Sequence, residues 1–118
     1  MDKESVEELF ADMEGITVKR MFGGMGVFHR GLNFAAVMDG VLRFKADEQT
    51  RDAFLAEGMG PWTYTRRDGT SSTMGYYQVP ERLFDDPETF AIWARDAFEV
   101  AIRADAAKPA SKRKLQTL

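Results

Sequence analysis

The sequence contains no cysteine, a single histidine and only four prolines in 118 residues. Without cysteine there is no disulfide, no thiol nucleophile and no cysteine-based metal centre. His29 on its own cannot build a histidine-rich zinc site. No apolar run approaches the roughly 20 residues that a membrane helix requires. The start, Met1-Asp2-Lys3-Glu4, is charged and leads into an amphipathic pattern, so a signal peptide is not expected. Several enzyme classes are excluded on these grounds, and none is named.

What is present suits one small domain. Hydrophobic residues make up 44% and charged residues 30%, a globular rather than disordered balance. A chain of this length buries roughly two-thirds of its unfolded surface, enough for a core without staples. The charge is uneven. Residues 108–118 carry Lys108, Lys112, Arg113 and Lys114 and no acid, a tail of +4; the other 107 residues hold 12 basic and 19 acidic groups, a net of −7. An acidic body repels phosphate at long range, which disfavours general nucleic-acid binding.

Periodicity divides the chain. Val6, Leu9, Phe10 and Met13 share one face of a helix over residues 3–14, with Gly15 as its stop. From Ile16 to Lys45 the period is two, predicting strands at 16–22, 25–30, 32–38 and 41–45. Asp39-Gly40 is a strong hairpin signal, because both central positions of a type I′ turn require positive φ. Leu42 and Phe44 should share a covered face, Arg43 and Lys45 a wetter one. Asp47 is expected to cap a second helix to about Glu57. Strands at 62–67 and 72–79 flank Asp68-Gly69, and Pro80 ends them. Asp86-Pro87 opens the last helix, which runs to about Ala107 and buries Phe90, Trp93, Ala94, Ala97, Phe98 and Ala101. The expected domain spans residues 1–107, and 108–118 is a basic mobile tail. The order α-β-β-β-β-α-β-β-α predicts a two-layer α+β fold, an antiparallel sheet with helices packed on one face.

Catalytic templates find little support. Gly23-Gly24-Met25-Gly26 precedes a strand, whereas a phosphate loop precedes a helix N-terminus; a tight turn is the plain reading and a small-anion site the functional alternative. His29 lacks the glycine-flanked nucleophile a hydrolase would supply, since Ser71 and Ser72 lie in a turn-to-strand segment. Asp47/Glu48 and Asp85/Asp86 sit at predicted helix starts, where capping accounts for them. Lys19, Arg20, Arg30, Arg43, Lys45, Arg66 and Arg67 form a candidate basic surface on the strands, with Tyr64, Tyr76 and Tyr77 as candidate stacking groups for single-stranded nucleic acid. Pairing with the acids of the helices is the competing explanation. Met21, Met25, Met38, Met59 and Met74 read as pliable core or interface filler, and a second sheet face of this composition would also suit a homodimer.

The run Val18-Lys19-Arg20-Met21-Phe22-Gly23-Gly24-Met25-Gly26-Val27-Phe28, with Gly31 and Phe34-Ala35, resembles the N-terminal domain of the TfoX/Sxy competence-regulator family. The resemblance continues through Asp39-Gly40, Leu42, Phe44-Lys45, Arg51 and Phe54. It resumes at Tyr64, Met74-Gly75-Tyr76-Tyr77-Gln78-Val79-Pro80, Asp86-Pro87 and Trp93-Ala94, covering roughly residues 5–103. Arg20, Met21, Phe22, Gly23 and Gly24 form the family signature. The resemblance implies an α+β fold similar to secretion chaperones, a cytoplasmic bacterial protein, and a stand-alone version of a domain that competence regulators join to a C-terminal helical domain. It implies no catalytic residue, no cofactor and no metal. The expected function is a non-enzymatic regulatory module acting by protein–protein contact, with the transcription machinery as partner and without a membrane. Nucleic-acid binding by the strand cations, or a small anion at Gly23–Gly26, is the alternative.

Overall fold

The computed structural model describes residues 1–21 and 23–115; the side chains of Tyr64, Ser72, Thr73 and Met74 also lie outside the description. In chain order the elements are α1 (Lys3–Leu9), β1 (Ile16–Met21), β2 (Gly24–His29), β3 (Leu32–Met38), β4 (Val41–Lys45), α2 (Arg51–Ala56), β5 (Pro61–Thr65), β6 (Ser71–Gln78) and α3 (Pro87–Ala106). Short 3-10 turns occupy Glu81–Asp85 and Ala110–Lys112. The six strands form one antiparallel sheet in the order β1-β2-β3-β4-β6-β5, so the α+β order expected from the sequence is the one observed.

Each turn has its local cause. Arg30-Gly31 and Asp39-Gly40 both place two consecutive residues at positive φ, as tight hairpins between right-twisted strands demand. Asp86 caps α3 by accepting the Thr89 N–H at 3.2 Å, and Pro87 follows at the first helical position. α1 is shorter than its apolar spacing suggests: it ends at Leu9, and Phe10 to Met13 continue as turns. The acids Asp12 and Glu14 oppose the helix dipole at that end, and the last turn of α1 carries no basic residue.

All three helices cover one face. Val6 and Phe10 from α1, Phe54 from α2, and Phe90, Ala94, Ala97 and Ala101 from α3 meet Val18, Val27, Phe34, Leu42 and Phe44 of the sheet in one core. The alanine stripe lets α3 lie close on β3 and β4. The Phe10 ring stands edge-on to Phe34 at 5.4 Å and tilts against Phe90 at 5.4 Å.

Two expectations need correction. β3 does not alternate strictly. The β2–β3 register slips between Val27 and Phe28, which face Ala35 and Asn33, so Phe34 is the extra residue of a bulge. Phe34, Ala35 and Val37 consequently join the helix-side core, while Ala36 and Met38 turn to the other face. Asp47 does not cap α2. The residue at that N-cap is Thr50, whose hydroxyl caps no helix N–H but accepts the Asp47 N–H at 3.1 Å; the Asp47 carboxylate accepts the Gln49 N–H in the turn before α2 and two hydrogen bonds from Arg103 of α3.

Candidate functional site

The glycine turn of the family signature is built for backbone approach. Gly23 has φ +76°, a region costly for any other residue. A Cβ on Gly24 would lie 2.0 Å from the Val37 carbonyl oxygen, so β2 and β3 can meet there only through glycine. Met21 and Phe28 close over Gly26 on the outer face. Phe22 lies outside the described residues. A shallow basin of about 730 Å³ adjoins the turn, lined by Asp2, Lys3, Lys19, Arg20 and Asp39 among others, so cations and acids share it.

The register disperses the sequence-predicted cations. Arg20 faces Met25 near the end of β1, and Lys19 lies over the Phe28 ring at 5.3 Å on the face away from the helices. Arg30 sits in the β2–β3 turn, at the opposite end of those strands. Arg66 and Arg67 follow β5, whose edge is the far side of the sheet from β1. Arg43 is half-buried on β4, and its Nε is enclosed without a partner among the described residues. Burial pulls its guanidinium down from the usual range, and Asp39 partly offsets this. Lys45 is likewise half-buried, but at the end of β4 beside the C-terminal turn of α3.

The aromatic candidates also separate. Tyr76 turns outward with Ala36, Met38 and Trp62. Tyr77 turns inward and packs on Phe54 at 5.5 Å. The outer cluster buries its own members within one chain: Met38 is 2% exposed and Tyr76 6%. His29 packs edge-on against Phe98 at 4.5 Å, with Nδ1 buried and unpartnered among the described residues. Ser71 shares a hydroxyl contact with Thr65 at 3.3 Å on the β5–β6 hairpin. Among the described residues no group of three or more His, Cys, Asp or Glu is placed to hold a metal ion. No described helix is long and apolar enough to cross a membrane.

One feature escapes any reading of single elements. Where α1 passes α3, a cavity of about 250 Å³ opens between Leu9, Met13, Phe84, Phe90 and Ala91, with Glu8 and Asp12 on its border. Leu9 and Met13 are only partly covered, and Phe84 is 37% exposed. The helix spacing predicted Leu9 and Met13 as core. Phe84 carried no signal, because its position depends on the 3-10 turn that Pro80 introduces.

A one-sided helical layer, a small buried cluster on the outer face and an acid-bordered apolar groove characterise a small α+β domain. The model of the TfoX N-terminal domain family matches residues 8–101, and the chain belongs to that family. No curated protein matches it.

Proposed function

We propose that this chain is a non-enzymatic regulatory module, acting through protein–protein contact in competence-type control of transcription. Membership of the family supports the regulatory part. The groove between α1 and α3 supports the contact part and is the observation that carries it. Leu9, Met13 and Ala91 of its lining are only partly covered and Phe84 is exposed, and its size accepts one or two apolar side chains rather than a metabolite; ligand pockets usually run from about 300 Å³ upward. Glu8 and Asp12 make the border acidic, and α1 carries two further exposed acids, Glu4 and Glu7. The fitting partner is therefore a cationic amphipathic segment, with apolar anchors at helical spacing and Lys or Arg flanking them.

The test uses purified host RNA polymerase and its competence-type transcription factors, immobilised in turn. The wild-type chain should be retained by one of them. Phe84→Ser and Met13→Ser should abolish retention, while Arg67→Ser on the distant hairpin leaves it intact. Retention of the groove variants at wild-type level, or of none of the proteins, overturns the reading.

A further inference from the structure

At the end of the sheet remote from Gly23, the first residues of β3, the last of β4 and the C-terminal turn of α3 converge. The chain then leaves α3, makes its 3-10 turn at Ala110–Lys112, and returns. The Asp105 carboxylate draws it back, accepting the Lys114 N–H at 2.8 Å and the Leu115 N–H at 3.0 Å. Leu115 packs against the core. The segment read from the sequence as a mobile tail is thus laid beside α3 as far as Leu115, while residues 116–118 lie outside the description.

This return borders a partly open cavity of about 100 Å³ lined by Leu32, Asn33, Lys45, Asp105, Lys108 and Lys114, with Ala101 and Ala104 behind. Three ammonium groups border it against one carboxylate. That carboxylate is already engaged: both oxygens accept backbone N–H groups, and Lys108 Nζ stands 4.0 Å from Oδ1. The C-terminal carbonyls of α3 favour one cation nearby, which accounts for Lys108. They do not account for Lys45, which arrives from the sheet, or Lys114, which arrives from the returning tail. Among the described residues Lys45 has no acidic partner, and the charges nearest it are those of Lys108 and Lys114. Burial first, then these two like charges, lower its ammonium from the usual range. Three lysines gathered around one carboxylate, itself already engaged by two backbone N–H groups, is an excess of positive charge that an added anion relieves.

We propose that this cavity binds a phosphate group, held by Lys45, Lys108 and Lys114. The volume is that of about three water molecules at ~30 Å³ each, which admits a tetrahedral oxyanion and excludes a nucleoside. A phosphomonoester would therefore seat its phosphate here and leave its organic part in solvent. The ammonium groups act as point charges with rotatable donors, which suits a tetrahedral ligand presenting oxygens in several directions. Because Lys114 and Lys108 belong to the returning tail and the helix end, occupancy also ties the tail to the sheet through Lys45. The site stands on different residues from the α1–α3 groove, so either reading can fail alone.

The experiment is a titration of the full chain, followed by amide NMR at constant ionic strength, with sodium chloride as the control anion. One arm adds inorganic phosphate, the other glycerol phosphate. Saturable shifts are expected at Ala104, Asp105, Lys114 and Leu115 in the phosphate arm. A stronger response to glycerol phosphate would identify an ester as the natural form, and an equal response would identify the free ion. Lys45→Met keeps the apolar stem and should weaken binding about tenfold or more. Should that variant not fold, the exposed pair Lys108→Gln with Lys114→Gln decides, with the same loss expected. Shifts that chloride reproduces, an absence of saturation in both arms, or wild-type affinity in the double variant overturns the proposal.

Discussion

The Tyr76 hydroxyl donates a hydrogen bond to Asn33 Oδ1, joining β6 to β3 across the intervening β4. The Asn33 amide donates in turn to the carbonyl oxygens of Val27 at 3.1 Å and Ala35 at 2.9 Å. Those two carbonyls belong to the paired residues beside which the β2–β3 register slips. One side chain therefore ties together two backbone carbonyls beside the bulge, and Tyr76 sets its orientation. Asn33→Ala should cost about 2 kcal/mol or more, because two part-buried carbonyls lose their donor. Tyr76→Phe should cost about 1 kcal/mol. In a double-mutant cycle by urea denaturation the two losses should not add; additive losses would show that the pair is uncoupled.

Replacing neighbouring glycines should rank them by mechanism. At Gly24 the obstacle is backbone, and backbone cannot step aside, so Gly24→Ala should cost about 3 kcal/mol or prevent folding. At Gly23 there is open space, and only the positive φ opposes a side chain; Gly23→Ala should cost about 1 kcal/mol. Thermal melts of the two variants compare them directly. Equal losses would mean that the close approach of β2 to β3 is not what Gly24 serves.

Arg43 offers a case where a charge adds nothing to stability. Its Nε is enclosed without a partner among the described residues, so the desolvation of the guanidinium is incompletely offset. Arg43→Met preserves most of the volume and removes that cost. The unfolding free energy should stay level or rise, by up to about 1 kcal/mol, as urea denaturation would read it. A clear fall would reveal that the guanidinium has a stabilising partner.

Asp47 and Arg103 give the fold an acid-sensitive clamp. Arg103 Nε and a second guanidinium nitrogen donate to the two carboxylate oxygens at 2.8 and 3.1 Å, linking the chain after β4 to α3. The hydrogen bonds from Arg103 hold the Asp47 carboxyl below its ordinary 3.8. A carboxyl whose value is lowered in the folded state stabilises the fold above its unfolded value. That contribution is lost as pH falls through the lowered one. Both side chains are partly exposed, so solvent screens the pair and Arg103→Met should cost about 1 kcal/mol near neutral pH. In denaturation series below about pH 4, the variant should lose stability less steeply than the wild type. Parallel slopes would remove the clamp from the acid response.

Local chemistry was enough for much of this architecture. Hairpin glycines, a capping Asp-Pro pair and changes of period are short-range features, and they specified the element order, the turns at Asp39-Gly40 and Asp86-Pro87, and the covered side of Leu42 and Phe44. They also carried the signature that led to the family. Other features arise only when distant segments meet. The bulge at Phe34 reverses the phase of β3 because Asn33 and Tyr76, 43 residues apart, agree on a register. The Asp47 carboxylate holds the turn before α2 and also takes Arg103, 56 residues later, a pairing that no local pattern announces. The groove between α1 and α3 depends on how two helices pass, and the three-lysine cavity depends on a tail returning to Asp105. Capping and turn propensities act over a few bonds and can be read along the chain. Electrostatic clustering and concavity depend on distances in space, and those are set only once the sheet has twisted and the helices have packed on it.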